Sequence, residues 1–233
     1  MALSHNPKIV TDGLVLCLDA ANPKSYPGSG TTWFDLSGNG NDGTLVNGVG
    51  FDSANLGNIT FDGANDHVNI NPRLLDNANR GTVIVWFNKR IWDSSRWDTI
   101  FSKANGLGFN NNHIQISRQS TSDQISLTIS NNTSSTTTSV NTGSIEDNVW
   151  YQIGMTWNGS VLIGYLNGDE IDRTNTTITI PDNSTHVTLG EGAAGNTSRY
   201  FNGFISSCFC YNRALTEAEI KQNFNALRGR YGL

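Results

Sequence analysis

Long apolar runs are missing from this chain. No stretch approaches the roughly 20 apolar residues that a membrane helix needs, so no membrane partner is expected. Basic residues are few as well: Lys and Arg total 15 against 20 Asp and Glu, the net charge is −5, and no basic run occurs. Phosphate recognition requires such a run, so nucleic acid is not an expected partner either. The opening residues, Met-Ala-Leu-Ser-His-Asn-Pro-Lys, hold no apolar segment of the signal-peptide kind. Cysteine is sparse and odd in number: Cys17, Cys208 and Cys210. Cys208 and Cys210 stand two apart on a predicted strand, point the same way and do not suit a bond to each other. With no secretory route visible, all three are predicted to be buried free thiols.

Catalytic groups are equally thin. The chain has five Glu, and Glu217 and Glu219 belong to a predicted helix. A glycan hydrolase of the paired-carboxylate kind needs acids alternating on one strand, as in Glu-x-Asp-x-x-Glu. Glu170-Ile171-Asp172 comes nearest, but Arg173, Thr174 and Asn175 follow where a second Glu is required. There is no Gly-x-Ser-x-Gly elbow, zinc-type His/Cys cluster or phosphate loop. The expected mode of action is binding, not catalysis, with glycan hydrolysis the third reading.

What the chain has in excess is asparagine, 30 residues against 24 glycines. With abundant Ser and Thr this describes strands joined by polar turns. The centre of the pattern is Trp150 to Asp172, where Asn158-Gly159 and Asn167-Gly168 separate three apolar runs. Asn-Gly tolerates the positive φ angles of a type I′ hairpin turn, so the stretch predicts a three-stranded meander. Val161, Ile163 and Tyr165 alternate with Leu162, Gly164 and Leu166, which makes this strand apolar on both faces and places it in the middle of a sandwich. Further strands are predicted at Gly13–Ala20, Leu45–Phe51, Asn58–Asp62, Asp66–Asn71, Gly81–Lys89, Asp98–Ala104, His113–Arg118, Gln124–Ser130, His186–Gly190 and Phe201–Tyr211. The Ser/Thr tract Asn131–Thr142 suits a loop or an exposed edge strand. One helix closes the chain over Thr216–Arg228, with Thr216 and Glu219 as a capping box and Leu215 and Ile220 as a hydrophobic staple. The organisation predicted is an N-terminal extension over 1–12 and one all-β, two-sheet antiparallel jelly-roll domain over 13–233.

Three stretches resemble the laminin-G-like jelly rolls of the concanavalin-A-like lectin and glucanase superfamily. They are Leu14–Asp19 followed by Trp33-x-Asp-x-Ser-Gly-Asn-Gly-x-x-Gly, Phe61-Asp-Gly-Ala-Asn-Asp-His-Val, and Phe201-Asn-Gly-Phe-Ile through Tyr211-Asn-Arg-Ala-Leu-Thr-Glu-Ala-Glu-Ile. That resemblance implies first and last strands lying side by side, with Cys17 close to Cys208 or Cys210. Over its whole length, with Asp-Ala-Ala-Asn-Pro-Lys-Ser-Tyr-Pro-Gly-Ser-Gly-Thr-Thr-Trp early and Arg-Tyr-Gly-Leu at the end, the chain is similar to virion-associated proteins of marine tailed bacteriophages. This second resemblance implies a non-catalytic virion structural protein assembled in the host cytoplasm: a head decoration, fibre or tail-associated piece. Its partners would be other virion proteins and host surface glycan, and it would form a homo-oligomer. The alternative is a free carbohydrate-binding, lectin-like module.

Two candidate sites follow. Asp35, Asn39, Asn41 and Asp42 put hard oxygen ligands in a tight glycine-rich turn, the chemistry that Ca²⁺ requires. The same residues also suit a metal-free turn in which side chains bond the local backbone. Laminin-G-like relatives often carry an acidic residue after Gly-x-Ile of the last long strand; here Gly203-Phe-Ile is followed by Ser206-Ser207. For carbohydrate, Trp92 and Trp97 flank Arg96 in a predicted loop, where a ring can stack on a sugar face and a guanidinium can bond its hydroxyls.

Overall fold

The computed structural model describes residues 7–91, 97–106, 112–118, 124–131, 133–141, 145–192 and 199–233. Sixteen strands and one α-helix appear among them. In chain order the strands are β1 (Leu14–Asp19), β2 (Thr32–Trp33), β3 (Gly43–Val46), β4 (Gly50–Asp52), β5 (Asn58–Asp62) and β6 (His67–Ile70). Then come β7 (Gly81–Lys89), β8 (Asp98–Ala104), β9 (Asn112–Arg118), β10 (Gln124–Ser130) and β11 (Ser135–Asn141). The last are β12 (Trp150–Trp157), β13 (Val161–Leu166), β14 (Asp169–Asn175), β15 (His186–Leu189) and β16 (Asn202–Tyr211), ahead of α1 (Glu217–Leu227).

They form two antiparallel eight-stranded sheets. One runs β14-β13-β12-β7-β16-β5-β4, with β1 also on β16; the other runs β11-β10-β9-β8-β15-β6-β3-β2. A register shift between Ile205 and Ser207 divides β16, so that its first half pairs with β5 and its second half with β1. The alternation of apolar residues decides the layers. Tyr151, Ile153, Met155 and Trp157 of β12 and Val83, Val85 and Phe87 of β7 enter the core between the sheets. Ile84, Trp86, Ile163 and Tyr165 point the other way, into a second cluster roofed by Val10, Leu215, Ile220 and Phe224. That second cover explains why β13 is apolar on both faces. Trp86 lies between two rings, Phe224 at 5.6 Å and Tyr231 at 4.3 Å. Burying Phe224 alone is worth about 2 kcal/mol.

The helix is where the capping signals put it. The Thr216 hydroxyl accepts from the Glu219 amide and the Glu219 carboxylate accepts from the Thr216 amide. Arg213 grips the same carboxylate through both terminal nitrogens and, with the Thr216 bonds, holds it far down, at about 2 instead of its ordinary 4.5. Described residues 7–12 of the N-terminal extension lie along α1. Val10 donates its amide to Asn223 and accepts from the Tyr211 hydroxyl, and Gln222 donates to the Lys8 carbonyl.

Three sequence expectations need correction. The run Leu45–Phe51 is not one strand: Asn47 and Gly48, at φ 64° and 95°, turn the chain so that β3 and β4 enter different sheets. Of the two Asn-Gly hairpins, Asn167-Gly168 has both φ values positive, as type I′ demands. Asn158-Gly159 has a positive φ only at Gly159 and closes through the Asn158 side chain, which accepts from the Ser160 and Val161 amides. The Ser/Thr tract does form edge strand β11, but its edge is covered. The Ser139 amide donates to Asp172 and the Thr137 carbonyl accepts from Thr174, both on β14 of the facing sheet. Strand addition there would have to displace them.

The thiols are free and buried, and β1 lies beside β16 as the family resemblance implied. Cys17 stands opposite Phe209 and faces the helix cluster, whereas Cys208 and Cys210 face the core. The pleat therefore puts Cys17 and the other two on opposite faces of one sheet. Burial pushes the Cys17 thiol up to about 12.

Candidate functional site

Two loops and two strand ends build a cleft of about 530 Å³ at one end of the sandwich. The β2–β3 loop supplies Asn39 and Asn41, the β6–β7 loop supplies Asn71 and residues 73–80, and Val15 and Asn212 close the remaining side. Six asparagines line it, together with Arg73 and Arg80. The loops are tied to each other by amide side chains. Asn71 donates to the Asn41 Oδ1 at 2.9 Å, Asn41 donates to the Val15 carbonyl at 2.8 Å, and Asn39 donates to the Leu14 carbonyl.

The β6–β7 loop is held down from beneath. Leu74 and Leu75 plug the main core, and the Ala78 carbonyl accepts from the Trp157 indole and from the Ile180 amide. The side chain of Lys103, wholly shielded from solvent, rises from β8 to donate to the Pro72 carbonyl and the Asp76 carboxylate. Burial pulls the Lys103 ammonium below its ordinary 10.5, against the opposing pull of Asp76. At the loop's end, a side chain on Gly81 would collide with the Trp157 ring, so the turn into β7 requires glycine. Leu75 and Asn77 sit at φ 60° and 54°, a region costly for a leucine and found where surrounding structure dictates the backbone.

The turn proposed for calcium is wired internally. Asp35 Oδ1 accepts from the Cys17 and Ser37 amides, and its Oδ2 accepts from the Ser37 hydroxyl and the Asn41 amide. Asp42 Oδ1 accepts from the Asp35 amide, while Asn39 and Asn41 aim their NH₂ groups at β1. Both oxygens of the central carboxylate are thus committed to backbone and hydroxyl donors, and a cation would have to displace them. No group of three or more His, Cys, Asp or Glu placed to hold a metal occurs among the described residues. The donor set does not fit Ca²⁺; it fits the metal-free turn. Ser206, at the position where an acidic residue was noted for relatives, is wholly buried and donates to the Gly57 carbonyl.

Of the carbohydrate candidates, Trp92 and Arg96 lie outside the described residues. Trp97 is half-buried, and the Arg199 guanidinium covers one ring face at 4.8 Å from the centroid. The structure does not bring Trp97 to the cleft. Glu170 is gripped in a fork by Arg173, and Asp172 accepts from the Ser139 and Arg173 amides, so both carboxylates serve β14 and its neighbour. What sequence reasoning missed is the loop Asn71-Pro-Arg-Leu-Leu-Asp-Asn-Ala-Asn-Arg80. Its signal was there: three asparagines and two arginines between two strands, with only two leucines to anchor them.

Residues 62–221 match the Laminin_G_3 profile of the concanavalin A-like lectin/glucanases superfamily. The chain belongs to this superfamily. Solved structures similar to this superfamily member are binding domains of botulinum neurotoxins. One is the serotype DC binding domain in complex with rat synaptotagmin II, with TM-score 0.71 and 18% identity, covering 94% of this chain and 52% of that one. A second comes from a study of type C cell entry, described as dependent on interaction with two ganglioside molecules, with TM-score 0.71, 19% identity and coverage of 94% and 52%. A third is the serotype D/C binding domain, with TM-score 0.69, 19% identity and coverage of 93% and 53%. The chain spans about half the length of these structures, and at such identities the likeness establishes the lectin-like fold alone. No curated protein matches the chain. Among the described residues no helix is long and apolar enough to cross a membrane.

Proposed function

We propose that this jelly roll is a non-catalytic binding module that recognises glycan in the asparagine-lined cleft. The observation that carries the reading is the lining itself. Asn39, Asn41 and Asn71 spend their amides on ties between the loops and β1, but Asn77, Asn79 and Asn212 offer donors and acceptors, and Arg73 and Arg80 add guanidinium donors, which is the inventory a hydroxyl-rich ligand needs. No aromatic ring is among the described residues that line it, so affinity would rest on hydrogen bonds exchanged with water. Each such bond contributes about 1 kcal/mol net. A handful of them gives dissociation constants of roughly 0.1–1 mM, a range that becomes useful when many copies act together.

That multivalency fits the setting implied by the resemblance to phage proteins: a particle surface, with other virion proteins and host glycan as partners, and a homo-oligomer as the working unit. Glycan-array binding by the isolated domain, compared with an Arg73→Ala/Asn79→Ala variant, tests the site. Signal from the native domain and its loss in the variant is expected; equal signal from both moves the site elsewhere. Detection of this chain in purified particles by mass spectrometry tests the setting.

A further inference from the structure

Beneath the cleft loop, a buried histidine adjoins the lysine that tethers it. Lys103, whose ammonium holds the Pro72 carbonyl and the Asp76 carboxylate, stands opposite Ile114 in the β8–β9 ladder, one residue from His113. The ladder shifts register at this point, between Lys103 and Ala104. Lys103 and His113 are both 0% exposed, and neither ring nitrogen of His113 has a hydrogen-bond partner. A neutral imidazole can stay in such a place. An imidazolium beside a buried ammonium cannot, because neither water nor an acceptor meets its charge.

Few groups among the described residues face His113 or Lys103. The β6–β7 loop presents Asp76 and, beyond it, Arg73; β16 presents the Cys210 thiol to Lys103. The Ser130 backbone of β10 and the Asn183 side chain approach the ring, but not with hydrogen-bond geometry. Asp76 is the one carboxylate in this set, and Lys103 and Arg73 already share it. Burial first, and the Lys103 ammonium second, pull the His113 pKa below its ordinary 6.5.

We infer that His113 makes the cleft loop acid-releasable: a proton on the ring opens the floor, and Lys103 lets go of Pro72 and Asp76. The first half of the loop is poised to move. Leu75 and Asn77 hold positive φ angles that the anchored loop imposes and a released one relaxes. The Ala78 carbonyl keeps its bonds from Trp157 and Ile180, neither of which involves His113, so the opening stays local. The sign follows from the lowered pKa. Above about pH 6.5 neither the closed nor the open form holds the proton, and the loop is indifferent to pH. Below it the open form binds the proton first, so the opening constant rises by up to about tenfold per pH unit.

Hydrogen exchange followed by NMR on the full chain, from about pH 7.5 to about pH 5, tests this without any ligand. The reporters are the Leu74 and Asp76 amides, which donate to the Asn71 and Arg73 carbonyls. Rates are expressed as protection factors, which removes the intrinsic pH dependence of exchange. Protection of both amides should hold above about pH 6.5 and fall below it by up to about tenfold per unit, while amides of β12 keep theirs. In His113→Leu and in His113→Gln, neutral throughout the range, the fall should vanish. Protection that stays level to pH 5 in the native chain would overturn the inference. So would an equal fall in both variants, or one shared by β12. An acid-weakened ligand would follow only if the cleft binds glycan; the exchange result stands or fails apart from that reading.

Discussion

Replacing Asp76 by alanine strands the Lys103 ammonium inside the protein. The lysine side chain is wholly buried and the Asp76 side chain 12% exposed, so water cannot substitute for the lost carboxylate. Only the Pro72 carbonyl, at 3.2 Å, would remain as an acceptor. Removing one partner of a buried pair costs about 3–5 kcal/mol. In a chain of this length each kcal/mol shifts the melting temperature by about 2–4 °C, so the midpoint should fall by roughly 6–20 °C. The variant's deficit should also depend on pH, and the sign can be worked out. The folded-state pKa of Lys103 already lies below 10.5 through burial, and losing Asp76 lowers it further. Between that value and 10.5 the unfolded chain binds more protons than the folded one, so stability rises with pH there. The gap between native and variant should therefore shrink as pH rises toward 10.5. Replacing both residues, as Lys103→Met with Asp76→Leu, should restore most of the loss, because an apolar pair needs no partner. Thermal unfolding followed by circular dichroism measures all three. A loss under about 1 kcal/mol in Asp76→Ala would mean that the ammonium reaches water, and the account of how the cleft loop is anchored would be wrong.

Other expectations are independent of that pair. Alkylation without reductant should label Cys17, Cys208 and Cys210 only after unfolding, and a crosslinked peptide containing Cys17 would contradict the placement of the thiols on opposite faces of the sheet. Calcium or a chelator should leave the melting temperature unchanged, whereas Asp35→Ala should cost about 3 kcal/mol through lost backbone bonds; a calcium heat that Asp35→Ala abolishes would show a metal site instead. The Glu219 contribution to stability is complete above about pH 4.5 and is lost as pH falls through about 2, so Glu219→Gln should remove that portion of the acid dependence; an unaltered acid transition would refute it.

The fold was legible because its causes are local. Alternation in Trp150–Trp157 and Val161–Leu166, the Asn-Gly turn at 167–168 and the Thr216/Glu219 cap each act over a few residues. Cover on both faces was implied by a strand apolar on each side, but not that α1 would supply it over Trp86. The cleft was only half legible. Asn39 and Asn41 stood out for their oxygens, but the structure turns their NH₂ groups toward β1 and leaves the ligand-facing role to the cleft they border. Nothing in the pattern of Asn71–Arg80 says that Lys103, some thirty residues on, rises beneath it, because the pairing of β8 with β15 that positions it is non-local.

The central claim is that the cleft binds glycan. Its most direct test is a ¹⁵N-labelled titration with the best ligand from the array, reading the side-chain amide signals of asparagine. The account predicts saturable shifts at Asn77, Asn79 and Asn212, with backbone shifts confined to the 71–80 loop and the turn around Asn39. Shifts concentrated around Trp97 and Arg199, with these asparagines unmoved, would contradict it.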